Sequence, residues 1–96
     1  MDKDELLKWV REELIFKRLN LVDLDLTIDD VGETTKLFDG EGLGLDSVDG
    51  LELGVGIEQK FGIKVGPLNE NLAKNKFATA TTIRDFIIEL MPAQGN

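Results

Sequence analysis

Ninety-six residues leave room for one small domain, whose core can bury only about two-thirds of the surface that the unfolded chain exposes. With no cysteine and no histidine, a disulfide framework, a thiolate zinc site, a cysteine nucleophile and imidazole catalysis are all excluded. Nineteen acids against eleven bases give a net charge of −8; nucleic acid and anionic lipid are repelled, and basic protein surfaces are the natural charged partners.

The charge is concentrated. Between Asp23 and Glu58 stand eleven acids and a single base, Lys36, so this stretch carries −10. At 42% apolar residues the chain is not a disordered acidic tail. No segment approaches the roughly 18 apolar residues of a membrane span. The N-terminal Met-Asp-Lys-Asp-Glu has no signal-peptide apolar region. A cytoplasmic protein without membrane insertion is expected, as one domain over residues 1–96.

In chain order, the first helix opens on Asp2 and Glu5 at capping-box spacing. Leu6, Leu7, Val10 and Leu14 fall within one helical arc, and Lys17 and Arg18 suit its C-terminal end. Trp9 and Phe16 lie off that stripe, where a loop is expected to pack over them. Residues 19–46 show no helical period. Leu21, Leu24, Leu26, Ile28, Val31 and Phe38 are expected to pin this long loop across a bundle, with one helical turn near residues 29–33. A glycine-rich run, Phe38-Asp39-Gly40-Glu41-Gly42-Leu43-Gly44-Leu45, leads into the second helix.

That helix is expected from Ser47 to Phe61, capped by Asp46 or Ser47, with Gly62 past its end. Leu53, Ile57 and Phe61 make the core face. Val48, Leu51 and Val55 make a second apolar stripe beside Glu52 and Gln59. Either the long loop covers that stripe or it is an interaction surface; the residues alone do not decide. Gly50, Gly54 and Gly56 lie inside the helix, each costing about 1 kcal/mol against alanine, and Gly50 and Gly54 project toward the core. Pro67 suits a helix start, and a short polar helix is expected from about Leu68 to Lys76. The last helix has Thr82 and Asp85 at cap spacing and a stripe of Ile83, Phe86, Ile87 and Leu90, ended by Pro92 and the tail. No strand is convincing. The expectation is all-α: a bundle of three or four helices with a long first loop.

Catalytic chemistry is scarce. The acids of the glycine-rich run miss the calcium-loop spacing, because Gly50 stands where the closing glutamate belongs, so no dedicated metal site is expected. The Gly40–Gly44 run has no lysine and strongly negative surroundings, which repel a free nucleotide. Ser47 has no base with which to act as a nucleophilic catalyst. The chain is therefore not expected to be an enzyme. Ser47 remains as a passive acceptor, at a helix start whose free N–H groups and dipole suit a phosphodiester.

The segment Gly44-Leu45-Asp46-Ser47-Val48-Asp49-Gly50-Leu51-Glu52-Leu53 resembles the signature of acyl carrier proteins, and the likeness of helix, acidic loop, helix, short helix and helix extends over the chain. The resemblance implies that Ser47 carries covalent 4′-phosphopantetheine, delivered from coenzyme A by a phosphopantetheinyl transferase, with Asp46 orienting the site. The arm's thiol would hold an acyl group as a thioester and so supply the missing sulfur. Val48, Asp49, Glu52, Val55 and Gln59 fall where the family presents a helix to partners, here acyltransferases and ketosynthases with basic docking surfaces, and a monomer is implied.

Departures from the pattern point to a specialised carrier for a polyketide-like, aryl-polyene or modified-lipid pathway. They are the longer loop before Ser47, the three glycines, Gln59 and Lys60 in place of acids, and an extended stretch near residues 69–80. Gly54 is expected to enlarge or reshape an acyl pocket on the core side. The competing readings are a peptidyl or alanyl carrier, a cofactor-free acidic interaction module and a calcium-responsive helical protein.

Overall fold

The computed structural model describes residues 1–66 and 69–93. Among these residues four α-helices follow one another: α1 (Lys3–Trp9), α2 (Ser47–Phe61), α3 (Glu70–Asn75) and α4 (Ala80–Ala93). α1 continues without a break into a π-wound segment, Val10–Lys17, and two 3₁₀ turns, Leu21–Leu24 and Ile28–Asp30, lie in the long loop. Among the described residues no strand forms, and the fold is all-α. The expectations placed on Pro67, on Leu68 and on the tail residues Gln94, Gly95 and Asn96 lie outside the described residues.

Asp2 and Glu5 form the reciprocal cap that their spacing predicts. The Glu5 N–H donates to Asp2 Oδ1 at 2.8 Å, and this bond holds the Asp2 carboxyl below its ordinary pKa. Leu6, Leu7, Val10 and Leu14 are all buried, as the stripe requires. Ile15 is also fully buried, although regular winding would turn it about 100° away from Leu14. The π-wound segment accounts for it. The Arg18 N–H reaches back five residues to the Glu13 carbonyl at 3.1 Å, and advancing roughly 80° per residue brings Ile15 round to the core. Trp9 is covered by the end of α2 rather than by a loop: it meets Phe61 edge-on at 5.3 Å. Phe61 is accordingly half-buried, while Leu53 and Ile57 are wholly inside.

The long loop is pinned by Leu21, Val31, Leu37 and Leu45, all buried, whereas Leu24 is 65% exposed. Leu24 ends a turn bounded by Asn20 and Asp25, both in left-handed backbone (φ 53° and 62°), which these two residue types tolerate. Polar latches add to the pins. Arg11 Nε donates to the Val31 carbonyl at 2.6 Å and its Nη2 to the Ile28 carbonyl at 3.4 Å. Farther on, the Leu37 N–H donates to the Ala78 carbonyl at 2.9 Å, and both the N–H and the hydroxyl of Thr81 donate to the Glu33 carbonyl. These bonds tie the loop to the α3–α4 junction.

α4 starts earlier than Thr82 and Asp85 suggest. The Thr79 N–H donates to Thr82 Oγ1 and the Thr82 N–H donates to Thr79 Oγ1, at 3.0 and 3.2 Å. This exchange lets Ala80, fully buried, begin the helix. The helix passes through Pro92 to Ala93, so it runs past the proline that the sequence suggests as its end. Ile83, Phe86 and Ile87 are buried and Leu90 half-buried.

Among the α2 glycines, Gly54 has room. A Cβ there meets only Val65 Cγ1, at 3.9 Å. Gly54→Ala is therefore expected to raise stability by up to about 1 kcal/mol, through helix propensity alone. A rise in the urea midpoint at unchanged slope is the measurement.

Candidate functional site

The segment before α2 is a folded turn rather than an open loop. The Leu43 N–H donates to the Lys36 carbonyl at 2.9 Å and the Leu45 N–H to the Leu37 carbonyl at 2.8 Å. At the tip, the Asp39 carbonyl accepts from the N–H groups of Gly42 and Gly44 at 2.9 and 3.1 Å. Gly42 is required here, because any side chain would run into the Lys36 carbonyl. The Asp39 carboxylate serves its own turn, accepting from the Glu41 N–H at 3.0 Å and lying 3.9 Å from Lys36 Nζ. Among the described residues no group of three acids is placed to hold a metal ion.

Asp46 is extended (φ −108°, ψ −176°) and Ser47 is the first helical residue. Asp46 Oδ1 accepts from the Asp49 N–H, and Asp49 Oδ2 accepts from the Asp46 N–H, both at 3.0 Å. Asp46 is thus the cap, and Ser47 is released from that duty. Ser47 is exposed, and its hydroxyl has no hydrogen-bond partner among the described residues. The helix-start N–H groups that the cap leaves over, with the positive end of a 15-residue helix, favour an anion at this serine.

Val48, Glu52, Val55 and Gln59 line up along one face of α2 at helical spacing, with Asp49 beside them near Ser47. Val48 is 70% and Leu51 59% exposed, so the long loop does not cover the second apolar stripe. Val55 is half-buried. Glu52 and Gln59 are not free. Arg18, just past the π-wound segment, places Nε 2.8 Å from Glu52 Oε1 and 3.2 Å from the Glu52 carbonyl, and its Nη2 donates to Gln59 Oε1 at 3.3 Å. Such a half-exposed pair contributes up to about 1 kcal/mol. The guanidinium lies over Gly56, where a Cβ would come within 2.8 Å of Arg18 Cδ and 2.6 Å of Leu14 Cδ1.

The Arg18 contacts with Glu52 and Gln59, and the gap at Gly56 that admits them, are what the sequence reading missed on this face. The usable signal is positional. Glu52 and Gln59 flank Gly56 at four and three residues on the same face, so the glycine opens a bare stretch of backbone between two acceptors, wide enough for a neighbouring cation.

Two further clefts adjoin these elements. A small one, about 80 Å³, is lined by Gly50, Gly54, Val65, Gly66, Leu72 and Phe77 among others; this is the space that Gly54 opens. A larger one, about 510 Å³, lies between residues 34–39 and the α3–α4 junction. No helix among the described residues is long and apolar enough to cross a membrane.

A family model described as "Phosphopantetheine attachment site" matches residues 19–89, which takes in the long loop, α2, α3 and most of α4. Comparison with curated proteins and with solved structures found no match.

Proposed function

Because the chain belongs to the phosphopantetheine-attachment family, whose domains carry 4′-phosphopantetheine covalently and are not themselves catalytic, we propose that it is an acyl carrier with the arm on Ser47. Residues 1–96 act as one carrier domain, monomeric and cytoplasmic, that holds acyl groups as thioesters for partner enzymes. Its partners are a phosphopantetheinyl transferase and, beyond it, acyltransferases and ketosynthases with basic docking surfaces. The observation that carries this reading is the division of labour at the α2 start: Asp46 and Asp49 cap the helix between them, leaving as its first residue an exposed serine whose hydroxyl has no partner among the described residues.

The residues present fit the group. Ser47 supplies the oxygen that takes the phosphodiester, and the helix N-terminus supplies positive potential beside it. With the group bound, the chain gains a thiol that its own composition lacks. Both flanking carboxylates are engaged in the cap. The partner face is Val48, Asp49, Glu52, Val55 and Gln59, with Arg18 neutralising its middle. The acidic pull on a basic partner is therefore strongest at the Ser47 end, where Asp46 and Asp49 stand.

The longer loop and the glycines of α2 support a specialised carrier of polyketide-like or modified-lipid synthesis over the general fatty-acid one. Incubation with a broad-specificity transferase and coenzyme A is the test. The intact mass should rise by one phosphopantetheine, and the fragment holding Ser47 should bear it. No gain in mass would favour a cofactor-free acidic docking module.

A further inference from the structure

We infer that Arg18 is a built-in rival to the cations of a docking partner. By holding Glu52 and Gln59 it withdraws the middle of the α2 face, so the chain accepts partners whose basic groups cluster at the Ser47 end and disfavours those that need a basic patch running along the helix. This rests on the carrier reading above. It adds a residue outside α2 that decides which basic surfaces dock well.

Three observations carry it. The first is the completeness of the grip. Arg18 Nε lies 2.8 Å from Glu52 Oε1 and 3.2 Å from the Glu52 carbonyl, and Nη2 donates to Gln59 Oε1 at 3.3 Å. Glu52 and Gln59 are two helical turns apart, and one guanidinium bridges them. Its planar fork is pre-organised for such a task, as a lysine is not. The Arg18 and Glu52 side chains are 28% and 46% exposed, so the pair lies where a partner would meet it.

The second is the space at Gly56. A glycine inside a helix weakens it, and here the room is taken by Arg18. A Cβ on Gly56 would come within 2.8 Å of Arg18 Cδ and 3.0 Å of its Nε, with Leu14 Cδ1 at 2.6 Å. The stem of the arginine is therefore packed against bare backbone, and the guanidinium is held by contact as well as by charge.

The third is the order of charges along α2. The carboxylates of Asp46 and Asp49 stand at the Ser47 end. Glu52 is matched by Arg18, and Glu58 turns aside to accept from the Val65 N–H at 2.8 Å. Lys60, exposed, follows about 20 Å from Ser47 along the helix. The face thus passes from negative through neutral to positive. A partner's lysine or arginine arriving opposite Glu52 must displace Arg18 or stand beside it, and like charges brought together cost affinity. One arriving opposite Asp46 or Asp49 meets no such rival among the described residues.

The experiment follows modification of the full chain by a broad-specificity phosphopantetheinyl transferase with coenzyme A, read as intact mass against time over a range of chain concentrations. Arg18→Gln is expected to lower the KM for the chain by about fivefold at low salt, the worth of an exposed ion pair, with kcat unchanged. Glu52→Gln leaves Arg18 facing the partner without its counter-charge and should raise KM. Arg18→Gln combined with Glu52→Gln is as neutral at this spot as the wild type and should return close to it. Lys8→Gln makes the same change of net charge beside Trp9, level with the far end of α2 where Trp9 meets Phe61, and should leave KM nearly unchanged. The gain from Arg18→Gln should fade in strong salt.

A KM for Arg18→Gln no lower than that of Lys8→Gln would overturn the inference. So would a gain that survives in the double variant, since a merely structural arginine would loosen α2 whichever residue stands at position 52. A wild type that gains no mass would instead remove the carrier reading, and this inference with it.

Discussion

Ser47→Ala is expected to abolish the gain in mass completely, while its melting temperature stays within about 4 °C of the wild type. The two halves of this result have separate causes. Modification needs the oxygen, and alanine has none. Stability does not need it, because the hydroxyl is exposed and without a partner among the described residues. The cap belongs to Asp46, whose carboxylate holds the Asp49 N–H at 3.0 Å. Asp46→Ala is the matched control. It removes one acceptor and strands one donor at the α2 start, a loss of about 1 kcal/mol, which in a domain this small is a fall of roughly 6 °C. A Ser47→Ala variant that still gained the mass would place the attachment on another side chain. One that melted like Asp46→Ala would mean that Ser47 shares the cap.

Gly56→Val should destabilise the fold by about 3 kcal/mol, a drop in melting temperature on the order of 15 °C. A Cβ at this position lies 2.6 Å from Leu14 Cδ1, 2.8 Å from Arg18 Cδ and 3.0 Å from Arg18 Nε. Leu14 is 1% exposed and has nowhere to retreat. Arg18 could swing outward, but only by leaving both Glu52 and Gln59. Helix propensity acts in the opposite sense by less than about 1 kcal/mol, so the collision decides the sign. Gly54→Ala is expected to act the other way, which makes the pair a test of geometry rather than of glycine content. A neutral Gly56→Val would show that the π-wound segment and α2 can separate at this crossing at little cost.

Much of this was legible from the residues. The extent of α2, its Gly62 end and the caps at Asp2 and Asp46 follow local rules, since each depends on side chains within a turn of one another. The α1 stripe was legible for the same reason as far as Leu14. It failed at Ile15 because the winding changes there, and a fixed period of 3.6 cannot see a wider turn. For Trp9 the residues suggest only a loop as its cover, because nothing local shows that Phe61, far along the chain, meets it edge-on. The resemblance singled out Ser47 and the face of α2 beside it, but the fate of Glu52 and Gln59 depends on an arginine far away in the chain, just past the π-wound segment. The long loop was the least legible part. Its pins at Leu37 and Leu45 sit among glycines and acids without periodicity, and its latches to Ala78 and Thr81 run backbone to backbone or from a hydroxyl, independent of most side-chain identities.

The Leu37 to Ala78 bond has a consequence for the order in which the site comes into being. Leu37 is fully buried, and its N–H is satisfied by a carbonyl that lies far beyond α2 in the chain. Closing so long a span carries an entropic cost that only the arrival of the partner offsets. During synthesis, therefore, the turn that presents Ser47 cannot settle when Ser47 itself leaves the ribosome. It settles only once the α3–α4 junction has emerged, and on the carrier reading this delays modification of Ser47 until then.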